Sequence, residues 1–348
     1  MIDLRSDTTT LPTPAMFEAI KAAKLGDDQR EGDPTVRALE DLAASLVGME
    51  RGLFVTSGTM GNMLAIMSHV ERGGEILIDP LAHILRSEVG GIAQIASVFH
   101  RTYPADRGRP DIDALAAMLN PRLLPNRLRT GLVCVETTHN TGGGAVIPLQ
   151  TLKELRKVTG EKSIPVHIDG ARLFNAAVAL GVPAARIAQH ADSVTFCVSK
   201  GLSAPFGSVL CGRADFIERA RLFRRMIGGA MRQGGVVAAC GIIALQEMIE
   251  RLADDHRRAR NIAEGLHALN PQFIDPAHAE SNILMVQVGH SAGTAAQWVS
   301  AMEEQDVHLR AWSPTQLRLV THRHIDDDAV DRTVAAFRAA YQRFGPKR

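Results

Sequence analysis

Short apolar runs alternate with amphipathic segments over residues 20–245, and this alternation restricts the fold more than any other feature of the sequence. Leu53–Thr56, Glu75–Asp79 and Leu132–Glu136 have the length and residue types of buried strands. The neighbouring segment Thr35–Leu46 places its apolar residues on one helical face. Because strands alternate with helices, we predict an α/β fold with a mainly parallel sheet and helices on both faces.

The length of the chain indicates two domains. With 348 residues it exceeds the usual size of one compact unit. A long helical region at Val236–Arg260 leads into a pattern of few strands and helices that is typical of a small α+β unit. We therefore predict a large α/β domain with an N-terminal arm at residues 1–245 and a small domain at residues 246–348.

Charge and cysteine content exclude several classes of function. A net charge of +1 gives no bulk electrostatic attraction to nucleic acid or to membranes. The four cysteines lack C-x-x-C spacing, so we expect buried reduced thiols and neither disulfides nor a metal site. The sequence shows no signal-like segment and no apolar run of about 20 residues. These features predict a cytoplasmic protein that does not contact a membrane.

A lysine follows one of the predicted strands directly. The apolar run Val194–Val198 stops at Ser199 and Lys200, and a loop bounded by glycines comes next. A lysine that is desolvated in a pocket has a lowered pKa and can form a Schiff base with an aldehyde. Taken alone, the same pattern fits a surface lysine just past a strand equally well.

An acidic residue ends the preceding predicted strand. The run Ile164–Ile168 stops at Asp169, and Arg172 lies three residues further on. A carboxylate at such a place can keep the nitrogen of a pyridine cofactor protonated, so that the ring acts as an electron sink. An arginine can pair with an oxygen of the cofactor or with a substrate carboxylate. Alone, Asp169 could simply cap the next helix, but its combination with Lys200 is far more specific.

Four motifs together resemble those of a known family. D-G-A-R, S-K-G-L-x-A-P-x-G-S, the opening D-L-R-S-D-T and S-G-T-M-G-N are similar to motifs of the threonine aldolase branch of the fold-type I pyridoxal phosphate enzymes. The resemblance extends from Ile2 to at least Thr321. It implies a seven-stranded sheet, pyridoxal 5'-phosphate as cofactor and an amino-acid substrate. It also implies a homotetramer, built as a dimer of dimers, with active sites at the subunit boundary.

The same resemblance assigns residues to the cofactor. It implies that Lys200 binds the cofactor covalently, that Asp169 contacts the ring nitrogen and that His83 stacks on the ring, with Glu88 as an orienting partner. The Ser/Gly/Thr turn before a helix suits a phosphate, and two arginines would reach the phosphate of a neighbouring subunit. The expected cofactor-binding residues are Ser57, Gly58, Thr59, His83, Asp169, Arg172, Lys200, Arg225 and Arg232.

The resemblance further implies reversible cleavage of a β-hydroxy-α-amino acid to glycine and an aldehyde. Ser6, Arg172 and Arg318 would bind the α-carboxylate. A buried strand arginine without an acidic partner is costly, which favours a ligand carboxylate for Arg318. Either His83 or His139 would take the proton of the β-hydroxyl. We expect His322 and His324 to be exposed loop residues without a function.

Two positions depart from the family pattern. Arg30 occupies the place of a tyrosine, and Thr137 replaces an asparagine before the histidine. Arg30 could point to solvent, pair with Glu31 or Asp28, or bind a second acidic group of a substrate such as hydroxyaspartate. These changes leave the cofactor chemistry intact but make threonine itself less certain as the main substrate.

Three other classes compete with this hypothesis. A different pyridoxal phosphate enzyme, which catalyses β-elimination or transamination, would keep Lys200 and Asp169. A nucleotide-binding protein is disfavoured because no G-x-G-x-x-G follows an early strand. A non-catalytic scaffold would be expected to lose the lysine, which this chain retains.

Overall fold

The computed structural model describes residues 1–346, and fourteen strands lie in this part of the chain. In chain order they are β1 (Ile2–Asp3), β2 (Arg51–Val55), β3 (Glu75–Ile78), β4 (Phe99–Thr102), β5 (Ala105–Asp106), β6 (Arg109–Pro110), β7 (Thr130–Glu136), β8 (Val166–Asp169), β9 (Ser193–Cys197), β10 (Ser208–Gly212), β11 (Ile283–Gln287), β12 (Val307–His308), β13 (Arg310–Ser313) and β14 (Gln316–Val320).

The same residues form fourteen α-helices and two short 3₁₀ helices, Asp7–Thr9 and Pro276–His278. The α-helices are α1 (Pro14–Ala22), α2 (Pro34–Val47), α3 (Gly58–His69), α4 (His83–Arg86), α5 (Gly91–Gln94), α6 (Ile112–Met118), α7 (Leu149–Gly160), α8 (Leu173–Leu180), α9 (Ala185–Ala188), α10 (Ala214–Met226), α11 (Gly235–Glu247), α12 (Leu252–Leu269), α13 (Ala295–Glu303) and α14 (Asp327–Phe344). None of the helices described is long and apolar enough to cross a bilayer.

The central sheet has seven strands in the order β2-β10-β9-β8-β7-β3-β4. Pairing is parallel from β9 through β4, whereas β10 is antiparallel to both of its neighbours. The predicted mainly parallel, seven-stranded sheet is therefore confirmed. Because β7, β8 and β9 run in the same direction, their carboxyl ends meet at one edge, where Glu136 pairs in register with Asp169.

Both faces of this sheet are buried. Along β7, Leu132 and Cys134 belong to one apolar cluster, whereas Val133 and Val135 belong to another. This alternation follows the two-residue period of a strand, and helices cover both sides. Helices α2, α7, α8 and α11 contribute to the core on one face, and α3, α5 and α10 to the clusters on the other.

A separate core lies in the C-terminal part of the chain. The antiparallel sheet β11-β14-β13 packs with α12, α13 and α14 around Trp298 and Phe337. The N-terminal strand joins this unit, because β1 pairs in parallel with β12 and Leu4 is buried in the same core. The arm that we assigned to the large domain thus contributes to both units.

The long helical region expected at Val236–Arg260 is divided into two helices. The structure contains two helices, α11 and α12, with turn residues between them. Helix α11 and the residue Leu252 pack in the large core, whereas Ala259 packs in the C-terminal core. The chain therefore changes direction where it passes from one core to the other.

Candidate active site

A cavity of about 220 Å³ opens at the carboxyl edge of the central sheet. It brings together the predicted cofactor residues at the ends of β8 and β9 and at the start of α3. Its lining consists of Thr56, Ser57, Gly58, Thr59, Asn62, His83, Glu88, Asp169, Ala171, Cys197, Ser199 and Lys200.

The start of α3 forms one wall of the cavity. The Ser57 hydroxyl accepts the Met60 N–H at 3.1 Å and thereby caps the helix. The first N–H groups of a helix have no acceptor within the helix and carry its positive end, so this wall suits a phosphate. A Cβ atom on Gly58 would lie 3.0 Å from the Cys197 sulfur, which explains the glycine at this position.

The opposite wall contains two buried carboxylates. Asp169 accepts the Ala171 N–H at 3.0 Å and a hydrogen of the Asn62 amide at 2.9 Å. The same Asn62 nitrogen donates to Glu88 at 2.9 Å, and Glu88 lies 3.0 Å from His83 Nδ1. Burial raises the pKa of Glu88, and the hydrogen bond to Glu88 raises the pKa of His83. The side chain of His83 is one-third exposed to the cavity.

The backbone of Lys200 is held from two sides. Its carbonyl accepts the Thr10 hydroxyl at 2.8 Å and the Ser203 N–H at 2.8 Å. The following loop closes at Gly207, whose φ of +109° favours glycine. A side chain there would also collide with the Phe54 ring. The loop thus places the lysine at the mouth of the cavity.

Arg172 forms a buried ion pair that the sequence analysis did not identify. Its Nε and Nη2 atoms donate to the two Asp7 carboxylate oxygens, each at 2.7 Å. Asn282 donates to the same carboxylate at 3.2 Å. Burial opposes the charged form of Asp7, but Arg172 holds the pKa of this carboxyl well below its usual range. Nη1 and the second hydrogen of Nη2 are left for a ligand. Next to this pair Ser6 is buried, and its hydroxyl accepts from Thr8.

Arg318 is a buried cation of a different kind. Its guanidinium donates to Asn140 Oδ1 at 2.8 Å and to the Arg5 carbonyl at 3.3 Å, and Nε has no partner. No carboxylate of residues 1–346 lies within ion-pair distance of it. Burial lowers the pKa of Arg318 to about 10. An uncompensated buried cation is well suited to bind an anion.

His139 does not line the cavity. Its side chain is 1% exposed, and its Nδ1 accepts the Gly142 N–H at 2.9 Å. The proton of the neutral ring is therefore on Nε2, which faces Asp79 at 3.6 Å. Burial opposes the charged form, yet Asp79 and Glu136 raise the pKa of His139. Of the two histidines considered for the β-hydroxyl, His83 is the one that reaches the cavity.

Glu136 connects the two sides of the site and was also missed. One oxygen accepts the backbone N–H of His83 at 2.6 Å, and the other accepts the backbone N–H of Asn140 at 2.7 Å. The carboxylate at the end of β7 therefore fixes both His83 and the residue that contacts Arg318. The only sequence signal for this role is the acid at a strand end.

Three predicted arginines lie outside the cavity of a single chain. Arg30, Arg225 and Arg232 are exposed, and Arg232 pairs with Asp27 at 2.9 Å. Asp28, one of the partners considered for Arg30, instead forms a buried ion pair with Arg224 at 2.6 Å. Within the chain, exposure to solvent is the alternative that fits Arg30.

The expectation for one of the C-terminal histidines is wrong. His322 is 1% exposed, because its ring packs against β1 and contacts the Asp3 carbonyl at 2.7 Å. His324 is exposed as expected, and its Nε2 accepts the Leu11 N–H at 3.1 Å. Both rings therefore fasten the N-terminal arm to the C-terminal unit.

A comparison of the sequence with known families identifies the family of this chain. A family profile described as beta-eliminating lyase matches residues 3–289. The chain belongs to the beta-eliminating lyase family. It is a pyridoxal phosphate-dependent lyase, as predicted. One cavity is lined by the N-terminus of α3, the buried Asp169 and Lys200, and this arrangement fits the cofactor.

The similarity to curated relatives covers nearly the whole chain. The low specificity L-threonine aldolase of Escherichia coli (strain K12) is 42% identical over 342 residues, which are 97% of this chain and 99% of that protein. The low-specificity L-threonine aldolase 1 of Arabidopsis thaliana is 39% identical over 343 residues, which are 97% and 96% of the two chains.

Solved structures have the same fold. The threonine aldolase of Leishmania major superimposes with a TM-score of 0.83 at 18% identity and covers 98% of this chain and 100% of that one. The serine palmitoyltransferase of Sphingomonas wittichii gives a TM-score of 0.79 at 18% identity over 98% and 87% of the two chains. The predicted fold-type I architecture is confirmed.

Proposed function

We propose that this lyase cleaves β-hydroxy-α-amino acids such as threonine or allo-threonine, reversibly, to glycine and an aldehyde. The observation that carries the proposal is that Lys200 and Asp169 share one cavity with the N-terminus of α3. The similarity to the aldolases of Escherichia coli and Arabidopsis thaliana supports the substrate class.

Pyridoxal phosphate, when bound, supplies an electron sink for the electron pair that cleavage leaves at Cα. In our proposal Lys200 binds the cofactor aldehyde and the carboxylate of Asp169 keeps the ring nitrogen protonated. Ser57, Gly58 and Thr59 bind the phosphate, because the start of α3 offers a hydroxyl and free N–H groups there. His83 packs against the ring.

The α-carboxylate of the substrate is assigned chiefly to Arg318. This guanidinium is buried without an acidic partner, and Asn140 fixes its orientation. Arg172 contributes less to it, because Asp7 takes the hydrogen of Nε and one hydrogen of Nη2. Ser6 lies beside this pair and completes the carboxylate site in the proposal.

Bond cleavage needs a base at the β-hydroxyl. We assign this role to His83, because it lines the cavity while His139 is buried behind the loop. The hydroxyl proton passes to His83, the Cα–Cβ bond breaks and the aldehyde leaves. Cα then takes a proton, and glycine is the second product.

The assembly belongs to the same proposal. We infer a homotetramer with Arg225 and Arg232 directed at the phosphate site of a neighbouring subunit. Both arginines are exposed. Leu222 and Met226, which lie on α10 with Arg225, are each 71% exposed, and this leaves an apolar surface for a second chain. The four cysteines are buried and unpaired, which supports a cytoplasmic location.

Product analysis tests the proposal. The protein, loaded with pyridoxal phosphate, is incubated separately with L-threonine, L-allo-threonine, L-phenylserine and 3-hydroxyaspartate. We expect glycine and the matching aldehyde, and we expect Lys200→Ala to form neither. A 2-keto acid with ammonia in place of glycine would instead assign the protein to β-elimination, the second candidate. A preference for hydroxyaspartate that disappears in Arg30→Tyr would identify Arg30 as the contact for a second acidic group.

A further inference from the structure

A chain of hydrogen bonds runs from Asp169 between the central sheet and α3 to the last residue of that helix, His69. Asp169 accepts from Asn62 at 2.9 Å, and Asn62 Oδ1 lies 3.1 Å from His167 Nε2. His167 Nδ1 lies 2.9 Å from the Ser193 hydroxyl, which in turn lies 2.8 Å from His69 Nε2. Asn62, His167 and Ser193 are all buried. None of the roles described above uses these side chains.

The direction of the first bonds follows from the chemistry of Asn62. Its Nδ2 atom faces carboxylate oxygens of Asp169 and Glu88, each at 2.9 Å. The opposite orientation of the amide would place its oxygen against two acceptors and is therefore excluded. Asn62 Oδ1 must then accept, and His167 Nε2 must donate to it.

The rest of the chain follows from the protonation of His167. Burial lowers the pKa of His167 to about 3, so the ring is neutral and carries its single proton on Nε2. Its Nδ1 accepts the Ser193 hydroxyl proton, and the Ser193 oxygen accepts from His69 Nε2. Every hydrogen in this chain points towards Asp169.

Such an arrangement fixes the orientation of the Asn62 amide, because each donor in a series of hydrogen bonds polarises the next. Groups of His83, Glu88 and Asp169 lie within 4.8 Å of one another. The single Asn62 amide bridges the two carboxylates.

We propose that Asn62, oriented by His167, is a positioning residue that holds the Asp169 carboxylate directed at the ring nitrogen of the cofactor. The inference rests on the proposed contact between Asp169 and that nitrogen. A carboxylate held at the ring nitrogen would favour the protonated ring, which is the state that stabilises a carbanion. Without the Asn62 donor, the carboxylate would lose the contact that holds it in this position.

The test compares two cofactors that differ at one atom. Equilibrium dialysis measures the dissociation constants of pyridoxal phosphate and of its 1-deaza analogue, in which CH replaces the ring nitrogen. Asn62→Leu keeps the side-chain volume but removes the donor. Because one hydrogen bond to a charged group is lost, we expect about tenfold weaker binding of pyridoxal phosphate. Binding of the deaza analogue should be unchanged, since it offers Asp169 no proton to share.

A structural role for Asn62 would give a different result. Equal weakening of both cofactors, or no change in either, overturns the proposal. His167→Phe, which removes the donor to Asn62 Oδ1, should shift the ratio of the two constants in the same direction by a smaller factor. It serves as the second measurement if Asn62→Leu does not fold. Asn175→Leu is the matched control. Asn175 lies on α8 and is a buried amide that contacts His256, so this substitution should leave the ratio unchanged.

The foundation of the inference is tested separately. Asp169→Ala should abolish most of the difference between the two cofactors. If Asp169→Ala leaves the ratio unchanged, the proposed contact with the ring nitrogen is wrong. If Asp169→Ala changes the ratio and Asn62→Leu does not, the contact stands and the role of Asn62 is refuted.

Discussion

Replacing Asp7 by asparagine should destabilise the whole fold, although residue 7 lies in an N-terminal arm. The substitution keeps the shape of the side chain but leaves Arg172 as a buried cation, since both 2.7 Å bonds of the pair end on this carboxylate. Arg318 is buried nearby as a second cation, and its pKa is lowered partly by Arg172. Removing one partner of a buried ion pair costs about 3–5 kcal/mol of unfolding free energy, and we expect a loss in this range.

Chemical denaturation followed by circular dichroism measures this loss. Asp215→Asn is the control, because it breaks an ion pair with Arg213 whose side chains are 74% and 73% exposed, and it should cause no measurable loss. The double variant Asp7→Asn with Arg172→Met should be more stable than Asp7→Asn alone, because it removes the unpaired charge of Arg172. A loss below about 1 kcal/mol for Asp7→Asn, the size of an exposed pair, would refute the reasoning.

The pH dependence of stability gives the same pair an independent test. Arg172 holds the pKa of Asp7 in the folded state below its value of about 3.8 in the unfolded chain. The stabilisation is therefore fully present above the unfolded pKa, and it is lost as the pH falls towards the folded pKa. Asp7→Asn should remove this part of the acid destabilisation, so that the difference between the two proteins shrinks as the pH falls below about 4.

The remaining predictions concern activity. Arg318→Met should raise KM for threonine about tenfold to a hundredfold, because it removes a charged hydrogen-bonding partner of the α-carboxylate, and Arg318→Lys should restore part of the loss; an unchanged KM would refute the assignment. Glu88→Gln replaces the charged acceptor that raises the pKa of His83 by a neutral one, so the pKa of His83 should fall. The base then stays deprotonated further into acid, and the acid limb of the kcat/KM profile should move to lower pH. A limb that stays in place or moves up would contradict this role. His83→Phe should reduce kcat more than His139→Phe, and the opposite order in steady-state assays would assign the base to His139.

The sequence predicts those parts of the site that parallel strands bring together. Asp169 and Lys200 follow strands of the same direction, so the common edge of the sheet places them close to each other. The turn before α3 was recognisable for a similar reason, because a capped helix start carries its own signature. Local pattern and sheet topology were sufficient for these residues.

Contacts between distant segments could not be predicted in this way. Asp7 and Arg172 are 165 positions apart, and Asn62 and Asp169 are 107 positions apart. No spacing rule connects such pairs, since the partner is determined by how the arm and helix α3 pack in three dimensions. The burial of His322 could not be predicted for the same reason, because its neighbour Asp3 is 319 positions away in the chain.

The N-terminal arm has a consequence for how the protein becomes active as it is made. Strand β1 is synthesised before its partner β12, which is more than 300 positions later. Until β12 has been synthesised, β1 has no strand to pair with, while Asp7 and Thr10 in the same arm are needed beside Arg172 and Lys200. The large sheet can form earlier, because domains fold as units during synthesis. The arm can therefore complete the site only after β12 has been synthesised.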